Sequence, residues 1–235
     1  MNTTMTCDEQ ERLELFLDCL ESSPETDMIL TKIRDEALRS EVPVIRRGTA
    51  NLLRTLIAAV RPRRILEIGT AVGYSALWMA VCSCEECRIT TIEMDPERIL
   101  KAKENFSIHP LGERIRLLEG EASGILTELN HGGEQFDLVF MDAAKGQYPA
   151  FLPAVRNLVR EGGMIITDNV LREGDILQSH YAVKRRNRTI HKRMRDYLFT
   201  LTHDKELATS IIPIGDGVAV TVIQTGKTAN GDKVD

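Results

Sequence analysis

The sequence predicts an α/β fold with a Rossmann-like, mostly parallel sheet of seven strands, preceded by helices and closed by an antiparallel hairpin. Short apolar segments alternate with helical segments from residue 64 to residue 169, and this alternation is typical of βαβ units. Two further apolar segments are joined by IGDG, which indicates a hairpin turn. Apolar residues make up 43% of the chain and charged residues 28%, as in ordinary globular proteins.

The individual elements follow from local periodicity. Residues 8–60 have apolar side chains at helical spacing, first at Leu13, Phe16 and Leu20, and later in a helix whose core side carries Leu52, Leu53, Leu56 and Ile57. Five strands are then predicted at 64–69, 88–93, 114–120, 136–142 and 162–169. The helices between them are predicted at 73–81, 96–107, 122–129 and 148–158, and the hairpin at 206–223.

The length of 235 residues suits a single α/β domain with a full core. We divide residues 1–235 into an N-terminal helical part (1–60), a core that contains the sheet (61–223) and a polar tail (224–235) that we expect to be flexible. The N-terminus lacks the basic-then-apolar order of a signal peptide, and no apolar run is long enough for a bilayer. We therefore expect a cytoplasmic protein.

Three of the five cysteines lie in the segment CSCEEC, residues 82–87. A structural zinc ion needs four ligands, and no nearby His or Cys completes that number. An odd number of cysteines without a secretion signal indicates free thiols. We therefore interpret this segment as a loop that follows a helix.

The residues that follow each predicted strand are the candidates for ligand binding, because ligands of open α/β sheets bind beyond the carboxyl ends of the strands. The first strand runs into EIGTAVGYS, which contains Glu67, Gly69, Gly73 and Ser75. The two glycines permit a tight turn and a close approach of backbone to ligand. The segment is neither G-x-G-x-x-G nor a P-loop, which disfavours a dinucleotide enzyme, and taken alone it is equally compatible with a plain turn.

Acidic residues end the second and third strands. Glu93 lies where an acid can accept hydrogen bonds from both hydroxyls of a ribose. Asp95 and Pro96 are the better N-cap and first residue of the next helix, which leaves Glu93 available for a ligand. Glu121 and Ala122, after the third strand, can face an adenine.

The fourth and fifth strands end in Asp142 and in Asp168-Asn169. One such end would favour an ordinary turn, but two neighbouring ends bring together the oxygen ligands that Mg²⁺ or a similar ion prefers. Lys145 follows Asp142 by three positions. It is a candidate general base if burial and positive charge lower its pKa, and the alternative is a surface lysine.

The motif E-x-G-x-x-x-G, the acid after the second strand and the closing hairpin resemble class I S-adenosylmethionine-dependent methyltransferases over about residues 40–223. The resemblance implies that the loop from Gly69 to Gly73 holds the methionine part of the cofactor and that Glu93 holds its ribose. We assign the remaining cofactor contacts to Ile45, Glu67, Ser75, Glu121, Ala122 and Asp142.

The strand ends FMDAAKGQY and TDN are similar to those of metal-dependent O-methyltransferases related to the caffeoyl-CoA and catechol enzymes. This resemblance implies that Asp142, Asp168 and Asn169 are metal ligands and that Lys145 is the catalytic lysine. A divalent ion that holds two adjacent substrate oxygens would stabilise the attacking oxyanion. A non-catalytic binding module is disfavoured because all four residues are present.

The segments RILEIGTAVGYSALWMA, DAAKGQY, IITDNVL and IPIGDGVAV look like those of bacterial tRNA 5-hydroxyuridine methyltransferases, which act on the wobble uridine. The net charge of −5 argues against general nucleic-acid binding, but residues 184–195 contain seven cations. We expect tRNA phosphates to be bound by Arg46, Arg47, Lys184, Arg185, Arg186, Arg188, Lys192 and Arg193.

Two alternatives to the tRNA hypothesis stay open. The cationic run can be an ordinary solvated helix face, and its only nearby aromatic residues are Tyr181 and Tyr197. The acceptor is then a small phenol such as a catechol or a caffeoyl-CoA-type compound. The family resemblance also implies a homodimer, with contacts expected along the N-terminal helices at 8–40.

Overall fold

The computed structural model describes residues 27–171 and 188–224, together with positions 12, 16, 20 and 176. Most of the predicted N-terminal helix, including Leu13, lies outside these residues, as do Lys184, Arg185, Arg186 and the tail from residue 225. The side chain of Lys145 is also outside the description.

Seven strands form one sheet in the order β3-β2-β1-β4-β5-β7-β6. Strands β1 to β5 are parallel to one another, and β7 lies antiparallel between β5 and β6. The strands are β1 (Arg64–Ile68), β2 (Arg88–Glu93), β3 (Ile115–Glu119), β4 (Phe136–Met141), β5 (Val159–Thr167), β6 (Leu207–Ile212) and β7 (Val218–Ile223). The predicted seven-stranded α/β fold with a closing hairpin is confirmed.

Seven α-helices accompany the sheet within the described residues. They are α1 (Met28–Arg39), α2 (Arg47–Val60), α3 (Tyr74–Cys82), α4 (Pro96–Ile108), α5 (Ala122–His131), α6 (Tyr148–Leu158) and α7 (Arg188–His203). Short 3₁₀ turns span Gly112–Arg114 and Lys145–Gln147. The four helices between the parallel strands agree with the predicted bounds to within two residues.

Local chemistry sets where α4 and α1 begin. The side chain of Asp95 accepts hydrogen bonds from the backbone of Glu97 and Arg98, and Pro96 is the first helical residue, as the sequence predicts. Asp27 caps α1 in the same way through Oδ1, while its Oδ2 lies 2.8 Å from Nε2 of the buried His109. One carboxylate therefore both starts α1 and attaches that helix to the end of α4.

The core consists of two apolar layers, one on each face of the sheet. In β4, Val139 and Met141 pack into the layer with α5, α6 and α7, whereas Leu138 and Phe140 pack into the layer with α1, α2 and α3. This alternation explains why the parallel strands are apolar almost throughout, since both of their faces are covered. In α2, Leu53 and Ile57 are buried, and the neighbouring Leu52 and Leu56 are half-buried.

The predicted start and end of the fifth strand are wrong. The strand begins at Val159 rather than residue 162, and it ends at Thr167, so that Asp168 and Asn169 follow the strand instead of closing it. Its pairing with β4 shifts register after Val159. Gly163 lies at this irregularity, where a Cβ atom would come 2.8 Å from the carbonyl oxygen of Arg160 and 3.0 Å from that of Asp137, and such close backbone approaches accompany β-bulges.

Among the described residues, no helix combines the length and the apolar character needed to cross a membrane.

Candidate functional site

A cavity of about 450 Å³ opens beyond the carboxyl ends of the five parallel strands. Each of these strands contributes to it, as expected for an open α/β sheet. Its wall contains Ile68, Gly69, Ala71, Ile92, Glu93, Met94, Gly120, Glu121, Ala122, Asp142, Ala143, Ala144, Gln147 and Asn169, together with Pro43, Arg98 and Phe151.

Gly69 holds the ends of β1 and β4 together at the floor of this cavity. Its φ angle is +104°, and a Cβ atom on it would lie 2.1 Å from the carbonyl oxygen of Asp142. The backbone N–H of Asp142 donates to the carbonyl of Ile68 across 3.0 Å. Only glycine tolerates this conformation and this approach at once, so the predicted turn glycine is required by the geometry.

Glu67 is fully buried beneath the same loop. Thr70 donates to Thr91, and the Thr91 hydroxyl donates to Glu67 Oε2, each across 2.5 Å. The Ser75 hydroxyl lies close enough to lower the pKa of Glu67, but it does not reach hydrogen-bond geometry with Oε1, which has no such partner among the described residues. Burial nevertheless raises the pKa of Glu67 to about 7, and the negative charges of Asp142 and Glu93 add to the rise.

Glu93 joins the loops that follow the neighbouring strands β1 and β2. Its Oε2 accepts the backbone N–H of Ala71 at 2.9 Å, and its Oε1 accepts those of Met94 and Asp95 at 2.9 and 3.0 Å. The side chain is buried but lines the cavity. Each carboxylate oxygen has further acceptor capacity, so Glu93 can hold the loops and still accept ribose hydroxyls.

Glu121 serves two purposes at the third strand end. Its carboxylate caps α5 by accepting the backbone N–H of Gly124 at 3.2 Å, and it also accepts the Ser123 hydroxyl at 2.9 Å. These bonds lower its pKa. Glu121 and Ala122 both line the cavity, so the two positions predicted to face an adenine lie where one could fit.

Of the three predicted metal ligands, Asp142 and Asn169 line the cavity at the ends of β4 and β5, whereas Asp168 is buried beside them and is not part of the wall. Asn169 Nδ2 donates to Asp142 Oδ1 across 2.9 Å, and the backbone N–H of Asn169 donates to Asp168 Oδ1 across 2.7 Å. The φ angle of Asn169 is +62°, a left-handed conformation that Asn adopts more readily than most residues.

This donor set fits a hard divalent cation. Asp142 and Asp168 supply carboxylate oxygens, and a half-turn of the Asn169 amide replaces its nitrogen with its oxygen. Both carboxylates also face the buried Tyr148, whose pKa is raised first by burial and then by their two negative charges. Within the described chain there is no cluster of three His, Cys, Asp or Glu side chains suited to a metal, and the predicted set contains two carboxylates and one amide.

The backbone of Lys145 lies in the 3₁₀ turn that leads from Asp142 to α6. Arg193 of α7 donates to the carbonyl of Gly146 in this turn across 3.2 Å. Helix α7 is attached to the sheet beside the turn, where the hydroxyls of Tyr197 and Thr167 lie 2.7 Å apart. The guanidinium group of Arg193 therefore lies next to the turn that contains Lys145.

Among the cationic residues predicted to bind RNA, the described ones lie in two places, at the start of α2 and along α7. Arg46 pairs with Asp216 at 3.2 Å, and Lys192 pairs with Asp196 at 2.5 Å along α7. Arg188 and Lys192 lie on α7, and Arg47 begins α2. Tyr197 is buried and cannot stack on a base, whereas Phe199, which the sequence analysis did not consider, is 62% exposed and stacks on His203 at a centroid distance of 3.8 Å.

The cysteine segment follows α3 as a loop, as the sequence predicts. Cys82, Cys84 and Cys87 are free thiols. Burial raises the pKa of Cys82 to about 12 and also raises that of Cys87, which disfavours reactive thiolates. The buried guanidinium of Arg114 donates to the carbonyl of Cys87 and to the Ser83 hydroxyl. The segment is therefore a loop whose conformation is stabilised by a buried side chain.

The sequence profile of the O-methyltransferase family matches residues 20–223. The chain belongs to the O-methyltransferase family. The predicted assignment to a family of S-adenosylmethionine-dependent O-methyltransferases is therefore confirmed at the family level.

Individual relatives agree with the family match. The chain is 31% identical over 215 residues to an inferred O-methyltransferase of Mycobacterium ulcerans. The alignment covers 90% of this chain and 92% of that one. The chain is 34% identical over 129 residues to a catechol O-methyltransferase of Niastella koreensis, covering 54% and 58% of the two chains. The solved structure of an inferred caffeoyl-CoA O-methyltransferase from Staphylococcus aureus superposes with a TM-score of 0.82 at 31% identity, covering 90% and 99%.

Some predicted cofactor residues of this O-methyltransferase support the cavity wall without forming it. Ile45, Glu67, Gly73 and Ser75 are buried and are not part of the wall. Gly73, for example, packs against the ring of Phe106, and a Cβ atom on Gly73 would lie 2.5 Å from Cε1 of that ring. The wall residues that sequence analysis did not name are Pro43, Ile68, Ala71, Ile92, Met94, Arg98, Gly120, Ala143, Ala144, Gln147 and Phe151. Several of them lie inside the motifs EIGTAVGYS and FMDAAKGQY, whereas Pro43 and Phe151 had no local signal.

Proposed function

We propose that the protein transfers the methyl group of S-adenosylmethionine to one of two adjacent oxygens of an acceptor that is held by a divalent cation. The observation that carries this proposal is the contact of 2.9 Å between Asn169 and Asp142. It brings the ends of two strands together at the wall of a cavity that is large enough for a small cofactor. Membership of the O-methyltransferase family supports the same reaction class.

Acidic side chains suit this cavity to a cationic cofactor. S-adenosylmethionine is a sulfonium, and Glu67, Glu93 and Asp142 lie close enough for their charges to interact. We assign the ribose to Glu93, because its carboxylate lies at the cavity wall, and the adenine to the region of Glu121 and Ala122. Glu67 would contribute negative charge from below the loop.

The metal site would consist of Asp142, Asp168 and Asn169. A bound Mg²⁺ or similar ion supplies Lewis-acid stabilisation to an ionised acceptor oxygen. Lys145 is our candidate for accepting the acceptor proton, because its turn begins three residues after Asp142. Arg193, bonded to Gly146 in that turn, adds positive charge of the kind that lowers the pKa of a lysine.

A catechol-type phenol is the acceptor that we place first. Its two adjacent hydroxyls match a site with oxygen ligands on one side and a cofactor cavity on the other. One relative, which aligns with 54% of this chain at 34% identity, is named a catechol O-methyltransferase. The solved structure that superposes with a TM-score of 0.82 is that of an inferred caffeoyl-CoA O-methyltransferase.

A 5-hydroxyuridine in the tRNA wobble position is the second candidate, since its 5-hydroxyl and O4 also form an adjacent pair. The observation that favours it is the position of α7, whose Arg193 reaches the Lys145 turn while Phe199 exposes an aromatic face. Cations beside the acceptor site could bind anticodon phosphates, and an exposed ring could stack on a base.

One assay tests both acceptors. Purified protein, S-adenosylmethionine and Mg²⁺ are incubated either with catechol and caffeoyl-type phenols or with tRNA that contains 5-hydroxyuridine, and the products are identified by mass spectrometry. We expect a methoxyphenol and loss of activity in chelator. Conversion of 5-hydroxyuridine to 5-methoxyuridine without phenol methylation would reverse the order of the acceptors. Full activity in excess chelator would contradict the metal site.

A further inference from the structure

The IGDG turn between β6 and β7 contacts two segments that both belong to the proposed active site. Its Asp216 accepts a hydrogen bond from Arg46 through Oδ1 at 3.2 Å. The carbonyl oxygen of the same residue accepts the backbone N–H of Leu171 at 2.8 Å. Residues 46, 171 and 216 are far apart in the chain, so the turn joins regions that nothing in the local sequence connects.

The first region is the segment that covers the cofactor cavity, residues 42–46, between α1 and α2. Pro43 lines the cavity, and Ile45 is buried. Arg46 is the last residue of the segment. Its side chain can pack close to the turn because residue 215 is a glycine, on which a Cβ atom would lie 3.1 Å from Arg46 Cδ. The turn thus holds the covering segment at its end.

The second region follows the proposed metal ligands directly. Val170 donates to the carbonyl of Gly217 at 2.9 Å, and Leu171 donates to that of Asp216. Gly217 has a φ angle of +84°, and a Cβ atom there would lie 2.3 Å from Leu171 Cγ. The turn therefore fixes the backbone immediately after Asn169.

We propose that Asp216 is a positioning residue that couples the cofactor-covering segment to the strand end that carries Asp168 and Asn169. This inference rests on the function proposed above. The Arg46 and Asp216 side chains are 58% and 21% exposed, and pairs this exposed contribute little to stability. The pair therefore acts by positioning the two segments relative to each other. Their positions determine how the methyl group of the cofactor is oriented toward the acceptor.

Binding of S-adenosylhomocysteine, measured by calorimetry without metal or acceptor, tests the first connection. Asp216→Ala and Arg46→Ala should each weaken binding about three- to fivefold, and the double variant should be no weaker than either one, because both remove the same contact. Asp216→Asn keeps the size of the side chain and should also weaken binding. It takes the place of the alanine variant if that variant folds poorly. Unchanged affinity, or additive losses, would overturn the proposal.

Glu134→Ala is the matched control for this experiment. It removes a similarly exposed pair with Arg64, whose side chains are 46% and 28% exposed. Arg64 begins β1 at the amino edge of the sheet, opposite the cavity. We expect wild-type cofactor affinity in this variant, and a loss equal to that of Asp216→Ala would mean that any surface pair has the same effect.

Hydrogen exchange tests the second connection. In the wild type, S-adenosylhomocysteine should slow amide exchange both at residues 44–48 and at residues 169–171. Asp216→Ala removes the side-chain contact with Arg46 but keeps the backbone contact with Leu171, so the slowing should be reduced at both segments. Equal protection in both proteins would overturn the coupling. Since neither measurement needs turnover, failure here is distinct from failure of the proposed function, which would appear as absent methyl transfer by the wild-type enzyme.

Discussion

The side-chain amide of Asn169 donates a hydrogen bond to Oδ1 of Asp142 across 2.9 Å, although 27 positions separate the two residues. Their strands are neighbours in the sheet, with Met141 paired to Thr167 in register. The parallel arrangement brings both strand ends to the same edge, and the left-handed backbone of Asn169 accompanies the contact between the side chains. This relationship is the basis of the metal-site prediction.

Asp168→Ala should weaken Mn²⁺ binding, used as a probe for the divalent ion, by about a hundredfold or more, because even the residues around metal ligands typically contribute ten- to hundredfold. Methyl transfer should fall in parallel, while S-adenosylhomocysteine binding changes little. Metal affinity is measured by calorimetry. Asp137→Asn, at the other end of β4, is the control carboxylate. Equal metal affinity in wild type and Asp168→Ala would exclude this residue as a ligand.

Glu67→Gln should stabilise the cofactor-free protein at alkaline pH. The pKa of Glu67 is raised from its ordinary value of 4.5 to about 7, chiefly by burial, so the folded protein binds a proton that the unfolded chain releases between these values. The resulting stabilisation is complete below about pH 4.5 and is lost as the pH rises through 7. The variant should therefore gain up to about 3 kcal/mol in free energy of unfolding at pH 8 and little at pH 5.

Urea unfolding in chelator at the two pH values measures this difference. Glu128→Gln removes the same charge from the exposed side of α5 and serves as the control. If Glu67→Gln changes the free energy of unfolding by the same amount as Glu128→Gln at both pH values, the burial argument for Glu67 is wrong. We also expect Glu67→Gln to bind the sulfonium cofactor more weakly, since it removes negative charge beneath the cavity.

Glu93→Ala should weaken S-adenosylhomocysteine binding by about tenfold or more. The change removes the acceptor for the ribose and also releases the backbone N–H groups of Ala71, Met94 and Asp95. Calorimetry gives the affinity directly. Glu97→Ala, an exposed acid in the first turn of α4, is the control, and the role assigned to Glu93 fails if both variants bind alike.

Gly69→Ala should lower the free energy of unfolding by about 3 kcal/mol or more. A side chain at φ +104° is strained, and its Cβ atom would collide with the carbonyl of Asp142, which forces β1 and β4 apart at the cavity floor. Gly124→Ala is the matched substitution, because it lies in α5 with no atom within 4 Å of the new Cβ. That variant should gain up to about 1 kcal/mol. Equal stability of the two variants in chemical denaturation would contradict the assigned strain.

The positions of the elements could be predicted because they depend on local chemistry. Short apolar runs between helical segments located the five parallel strands, and Asp95 with Pro96 located the start of α4, since caps act within a few residues. The same local logic brought Glu93, Asp142 and Asp168 to the ligand edge of the sheet, because the side at which parallel strands end follows from the βαβ order. The start of β5 could not be located in this way, since the irregularity at Gly163 depends on contacts with β4.

The sequence by itself determined the sheet, the turn glycines and the acids at the strand ends, all of which depend on periodicity and backbone sterics. Only the tertiary structure decided which polar groups remote in the chain contact one another. It joined Glu93 to the Ala71 loop, Arg193 to Gly146, and Arg46 to Asp216, 170 positions away. The physical reason is that a hydrogen bond is selected by distances of about 3 Å, and such distances between remote residues exist only after the helices and the sheet have packed.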